Sequence, residues 1–355
     1  MKKILKNIPL TTVLGGIISA PLFSTSCSEK VITQLIAHRG APGHNGVTNE
    51  YTFENNVESF EPCSKQNNFF GIETDVYLTK DLKWVVVHDD NPFDNGKNEN
   101  ERNTSEYVAG SFINDNPSSL MSYEKCISTP IVTSNAYPKF VDPGVDKKQH
   151  KLTTFGDYLD ICKNGNKNAI IEIKEPKHLV GNGKEDCKGD KGYLLPYGID
   201  GFSGYMWDLY NTIVDHKMQN NCVIISFQEC YIRWLAKNIP FLLKNHQLQM
   251  LGDALTGIDR TDPTSNTDPK ILVDEGFDVS IGDCDWAWGN FWHQEDMNVT
   301  SDFVKYAHKK KCKVAIWTVD VKSIAQKYEN MGVDFITTDY YNFVDDFSQI
   351  PGFNH

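Results

Sequence analysis

Two histidines, an arginine and two carboxylates stand in Ile36-Ala-His-Arg-Gly40, Gly71-Ile-Glu-Thr-Asp75 and Val85-Val-Val-His-Asp89 of this 355-residue chain. His38 and His88 belong to the side-chain type that titrates near neutrality, so one can take a proton while the other gives one. Arg39 offers a planar fork that fits phosphate oxygens. Glu73 and Asp75 are two residues apart on a strand-like run, so both side chains point to one face. Together these groups can hold a divalent cation, clamp a phosphate and move protons in two directions. Phosphodiester cleavage requires those three abilities.

The run Ile170-Ile-Glu-Ile-Lys174 repeats the two-residue spacing with Glu172 and Lys174. Charged groups inside apolar strands are costly unless they find partners. A hard divalent cation, Ca²⁺ or Mg²⁺, on Glu73, Asp75 and Glu172 would supply one, because such ions take oxygen ligands. The alternative is a salt-bridge lattice among Glu172, Lys174, Arg39 and Asp75. Lys174 also offers a point charge to a phosphate.

These residues need a scaffold that brings strand ends together. Apolar strand candidates lie at Gln34–His38, Phe70–Asp75, Ala169–Lys174, Cys222–Phe227, Leu248–Gly252, Asp278–Gly282, Lys313–Thr318 and Asp334–Thr338. Helical patterns separate most of them: Thr52–Asn67, Thr154–Lys163, Tyr205–Gln219, Glu229–Asn238, Pro269–Gly276, Thr300–Lys310 and Ser323–Met331, the last closed by Gly332. Strands alternating with helices in this way predict an α/β fold, a (β/α)₈ TIM barrel. A doubly wound sheet is the runner-up, but no GxGxxG or GxxxxGK[ST] opens a helix. One further strand, Trp84–His88, follows the second after only Lys80-Asp-Leu-Lys83. A link that short permits a hairpin and forbids a parallel crossover. Counting back from a turn there pairs Thr79 with Trp84 and Asp75 with His88. Two polar stretches, about 91–151 and 177–203, follow strand ends that carry candidate groups. They read either as surface loops or as insertions over the active face.

A net charge of −12 argues against a general nucleic-acid binder. Hydrophobic content of 40% allows a sizeable core in one barrel domain, 27–355. Lys2, Lys3 and Lys6 precede an apolar run from Ile8 to Phe23 that is short and interrupted by proline. This layout predicts an export signal over residues 1–26. Ser24-Thr-Ser-Cys27 resembles the lipobox of bacterial lipoproteins, with Ser24 where a leucine-like residue is usual. The expectation is lipidation of Cys27 and anchoring at the outer face of the cell membrane, with plain secretion as the alternative. No two cysteines are spaced CxxC. Cys222 with Cys230 and Cys126 with Cys187 are conceivable disulfides, and free thiols are favoured.

Read together, His38-Arg-Gly40, Glu54-Asn-Asn56, Glu73-Thr-Asp75, Leu78-Thr-Lys-Asp81, His88-Asp89, Glu172-Ile-Lys174, Ser226-Phe227, Trp317-Thr-Val-Asp320 and Gly332-Val-Asp-Phe-Ile-Thr-Thr-Asp339 fall in one order. Over residues 33–345 the chain resembles the glycerophosphodiester phosphodiesterases. The resemblance implies a barrel enzyme that hydrolyses glycerophosphodiesters to glycerol 3-phosphate and an alcohol, and two histidines with exchangeable roles suit a route by way of a cyclic phosphate. It implies metal ligation by Glu73, Asp75 and Glu172, acid–base work by His38 and His88, and phosphate contacts from Arg39 and Lys174. It places Glu54 and Trp317 near the substrate or behind the groups that touch it. Phe53 stands where the family usually has Pro, Asn56 replaces its Thr, and Gly43 to Asn49 lengthen the loop after Gly40. A rival reading is a lysophospholipase D or cyclising phospholipase at a membrane surface, suggested by Trp286, Trp288 and Trp292. A rival of another class is a non-catalytic surface lipoprotein on the same barrel. A missing histidine or carboxylate would favour it, and none is missing.

Overall fold

The computed structural model describes residues 31–44, 52–88, 121–129, 150–174, 198–252, 267–283, 298–346 and 349–350, all within one compact unit, Val31–His355. Cys27 and the predicted signal segment, most of both insertions, Cys187 and the Trp286–Trp292 tract lie outside the described residues. No helix among the described residues is long and apolar enough to cross a membrane.

The strands are β1 Gln34–Ala37, β2 Phe69–Leu78, β3 Trp84–Val86, β4 Asn168–Ile173, β5 Cys222–Ser226, β6 Leu248–Gly252, β7 Asp278–Gly282, β8 Val314–Trp317 and β9 Phe335–Thr338. All but β3 run parallel, in the ring order β1-β9-β8-β7-β6-β5-β4-β2, and a direct β1–β2 pairing closes it. This is the (β/α)₈ barrel expected from the alternation of elements. The helices are α1 Val57–Ser64, α2 Tyr123–Ser128, α3 Phe155–Asn164, α4 Gly198–Asp215, α5 Glu229–Asn238, α6 Pro240–Lys244, α7 Pro269–Asp274, α8 Ser301–Lys309 and α9 Lys322–Met331.

Local chemistry sets many of the ends. Thr154 and Thr300 cap α3 and α8 by accepting from the backbone N–H three residues on. Gly332 ends α9 at φ +82°, a conformation that favours glycine. The expected helix Thr52–Asn67 begins five residues late. Asn55 turns the chain at φ +51°, and Asn56 forms a capping box with Ser59. The delay leaves Glu54 and Asn55 on an irregular segment that reaches the barrel mouth.

Alternation along the strands sorts the core into two layers. Ile72, Ile171, Ile224, Val279 and Ile336 face the helices. Ile36, Ile170, Val223, Ile225, Leu251, Ala315 and Phe335 fill the barrel interior. That apolar plug closes the lower barrel, so the charged residues further along β2 and β4 can meet only at the top. A third, smaller cluster joins Val85 and Val87 to Phe53, Met121, Cys126 and Leu152. Part of the first insertion therefore packs against the hairpin.

The hairpin exists, but its register differs from the count by one residue. Leu78 pairs with Trp84 and Val76 with Val86. Leu82 adopts φ +60°, and the Thr79 N–H donates to the Lys83 carbonyl at 2.9 Å. The loop is thus three residues ending in a left-handed position, rather than four. Asp75 consequently lies opposite Val87, whose N–H donates to the Asp75 carbonyl. The thiols of Cys63, Cys126, Cys162, Cys222, Cys230 and Cys312 are free and buried, so the conceivable Cys222–Cys230 disulfide does not form.

Candidate active site

β1 ends at Ala37, and the chain then makes a tight turn through Arg39, Gly40 and Ala41, all at positive φ. The Ala41 N–H closes it on the His38 carbonyl at 2.7 Å. The turn places His38 and Arg39 over the barrel mouth. Gly40, at φ +86°, faces α1 so closely that an added Cβ would lie 2.5 Å from Ser59 Oγ and 2.9 Å from the Phe60 ring. Gly40→Ala is therefore expected to cost about 3 kcal/mol of stability, from left-handed strain plus overpacking. A lowered unfolding midpoint in denaturant, with lost turnover, is the result to look for.

Arg39 is fixed on three sides. Its backbone N–H donates to Glu73 Oε2 at 2.8 Å. Its Nη1 donates to Glu54 Oε1 and Oε2 at 3.0 and 3.1 Å. Its Nε lies 3.4 Å from Asp75 Oδ2. Glu54, read from the sequence as a residue near the substrate or behind the contacting groups, is therefore a buried partner of the guanidinium. Lys174, just past β4, places Nζ 3.1 Å from Asp75 Oδ1 and 2.5 Å from Glu172 Oε1. The lattice considered from the sequence is thus present.

The lattice does not satisfy the carboxylates. Glu73, Asp75 and Glu172 bring one oxygen each within 4.8 Å of one another, a grouping that could hold a metal ion. Glu73 Oε1 is buried and accepts no hydrogen bond. Asp75 Oδ1 and Glu172 Oε1 meet Lys174 as ion pairs but accept no aligned hydrogen bond. Burial, then Asp75 and Glu172, pushes the Glu73 carboxyl well above its usual range. Burial likewise raises Glu172 to about 7. Burial alone would raise Asp75 too, but Lys174 and Arg39, helped by His88 and His38, pull it below the usual range. Three converging oxygens, one of them without a donor, suit a hard divalent cation.

His38 is mostly buried, with Nδ1 2.8 Å from Asp339 Oδ1. The carboxylate selects the tautomer with the proton on Nδ1 and leaves Nε2 as an acceptor. Burial and then the Arg39 cation hold His38 well below its ordinary value, against the pull of Asp75. His88 lies two residues past β3, partly exposed, and its charge is felt at Asp75. The one-residue slip thus leaves it at the site. Trp317 sits at the rim, edge-on to Phe227 with centroids 5.5 Å apart, and its Nε1 donates to the Ser280 carbonyl.

Two residues at the site received no individual role from the sequence. Asn55 Nδ2 donates to Asp75 Oδ2 at 2.7 Å, while its Oδ1 accepts from Thr74 Oγ1 and the Asp75 N–H. Asp339 orients His38. Its signal was available, as a lone acid at the C-terminal end of an apolar barrel strand.

Comparison with known proteins accords with this geometry. Residues 38–181 match the Glycerophosphoryl diester phosphodiesterase family. The barrel superposes on a Silicibacter pomeroyi protein named for that activity, with TM-score 0.60, 19% identity, and 87% of this chain and 91% of the other covered. A Parabacteroides distasonis glycerophosphodiester phosphodiesterase aligns with TM-score 0.54 and 20% identity, over 87% and 94% of the two chains. An Oleispira antarctica phosphodiesterase, solved in complex with the product sn-glycerol-3-phosphate, aligns with TM-score 0.50 and 16% identity, over 87% and 93%. No curated protein sequence matches the chain. The matched stretch carries His38, Arg39, Glu73, Asp75, His88, Glu172 and Lys174, so the residues that build the site lie where the chain is similar to the Glycerophosphoryl diester phosphodiesterase family.

Proposed function

We propose that this protein hydrolyses glycerophosphodiesters to glycerol 3-phosphate and an alcohol. One observation carries the reading. A neutral, oriented histidine, two fixed cations and three converging carboxylates share one barrel mouth, within the stretch that matches the family. The product bound by the Oleispira antarctica relative is consistent with it.

A bound Ca²⁺ or Mg²⁺, held by Glu73, Asp75 and Glu172, would offset phosphate charge and help orient the diester. Arg39 and Lys174 contribute positive charge beside it. His38 Nε2 takes the proton of the glycerol 2-hydroxyl as that oxygen attacks phosphorus. The bond from phosphorus to the alcohol oxygen breaks, and His88 gives that oxygen its proton. Water then attacks the cyclic phosphate, giving a proton to His88, while His38 returns its proton to the departing 2-oxygen. Each histidine ends as it began. His38 takes the base role first because it is neutral near pH 7 and its Nδ1–H is committed to Asp339.

Measured release of glycerol 3-phosphate from a panel of diesters, with and without Ca²⁺, Mg²⁺ and a chelator, tests this proposal. Choline release, compared between glycerophosphocholine and lysophosphatidylcholine, separates a soluble diester from a membrane lipid as substrate. No release from any diester overturns the proposal. We further propose that the chain is exported and anchored through Cys27, on the strength of the basic start, the apolar run and the small residues before that cysteine. Cys27→Ala is expected to move the protein from the membrane fraction to the soluble fraction. A membrane fraction unchanged by this substitution refutes the anchor.

A further inference from the structure

Asp320 lies just past β8, and Asp339 just past β9. Both are buried, at 1% and 0% exposure. Asp320 Oδ1 accepts from the Asp339 backbone N–H at 2.8 Å and from Thr338 Oγ1 at 2.9 Å. Asp320 Oδ2 is buried and accepts no hydrogen bond. Among the described residues, no lysine, arginine or histidine forms an ion pair with Asp320. Its titratable neighbour is Asp339, which in turn faces His38 Nδ1 at 2.8 Å.

Two adjacent carboxylates shut away from water cannot both stay ionised without a compensating cation, because desolvation and repulsion act together. A shared proton resolves the conflict, as in other closely coupled pairs. Its place follows from the donors. Asp339 already receives the His38 N–H, whereas Asp320 Oδ2 receives nothing. We infer that Asp320 carries the proton on Oδ2 and donates it to the Asp339 carboxylate, so that a neutral acid holds the acceptor that orients His38. Burial, then the Asp339 charge, acts in the required direction by raising the Asp320 carboxyl well above its usual range.

Asp320 is thus a positioning residue, two hydrogen bonds removed from the reacting atoms. The neutral acid adds no second negative charge beneath His38 and keeps Asp339 from rotating away. The link to turnover rests on the proposed role of His38, whereas the protonation state of Asp320 does not.

The experiment uses the full chain and two readouts. In infrared difference spectra between wild type and Asp320→Asn near pH 7, the carbonyl band of a protonated, buried carboxylic acid should be present in wild type and lost in the variant. In turnover, Asp320→Asn should stay within about twofold of wild type, because an amide accepts at one atom and donates at the other. Asp320→Ala should lower kcat at least tenfold, on the order of a lost orienting partner, with KM nearly unchanged. Absence of the acid band overturns the inference. Equal impairment of the Asn and Ala variants overturns it as well, since the charge would then be what matters. Full turnover in His38→Gln with the band intact would instead refute the base assignment and leave the protonated pair supported.

Discussion

His38→Gln is expected to lower kcat for glycerophosphocholine about 10³-fold, the usual range for a lost general base. Glutamine is the informative choice, because its amide can still donate to Asp339, whereas alanine would leave that buried carboxylate without its donor at 2.8 Å. Loss of turnover with little change in melting temperature then reports chemistry rather than folding. His88→Ala should slow the same substrate comparably, but its defect should shrink with a glycerophosphodiester of p-nitrophenol. That leaving group departs without a proton, so it needs no acid. The His38 variant should stay slow on both substrates. Near-normal glycerophosphocholine hydrolysis by both variants would sink the assignment, and rescue of His38→Gln rather than His88→Ala would exchange the two roles.

Glu73→Gln separates the two accounts of the carboxylate cluster by the sign of its effect. The amide oxygen can still accept the Arg39 N–H, so local geometry survives. In metal-free protein the substitution removes one of three mutually repelling buried acids, a group whose carboxyl is already raised by burial and by Asp75 and Glu172. The apo variant should therefore be at least as stable as apo wild type. Adding Ca²⁺ or Mg²⁺ should raise the melting temperature of wild type, by about 2.7 kcal/mol of linkage at a hundredfold excess over Kd. The variant should respond weakly, and its turnover should fall with lost cation. A purely structural lattice predicts the reverse: a destabilised variant, and no response to cation in either protein. Ligands must be deprotonated to bind, and Glu172 stands at about 7, so wild-type affinity should climb as pH rises through that value. Calorimetric titration in buffers of different ionisation enthalpy would show the released protons.

Much of this site could be read before any coordinates, because its parts are local. The spacing of Glu73 and Asp75 fixes their shared face on any strand, and the spacing of Glu172 and Lys174 does the same. The barrel followed from alternation, and Leu248–Gly252 and Asp278–Gly282 have the bounds read from the sequence. What stayed hidden depends on single backbone angles or distant contacts. Leu82 in a left-handed conformation shortens the hairpin loop, and leucine gives no hint of it. The helical pattern that starts at Thr52 includes Asn55, although its side chain bridges to Asp75 across the barrel rim. The Asp339–His38 contact spans 301 positions of sequence, and no periodicity in one chain shows such a pairing.

The antiparallel excursion β2–β3 has a thermodynamic consequence. His88 hangs from an arm whose Val85 and Val87 pack on Phe53, Met121, Cys126 and Leu152, while its Trp84 and Val86 join the main core. Cooperative units of a fold open with their own free energies. Fraying of this arm would withdraw His88, the proposed proton donor, while Arg39, Lys174 and the three acids keep their seats. Under the proposed chemistry the protein would then hold a diester without cleaving it, so its activity would answer to the local opening of this arm as well as to the stability of the barrel.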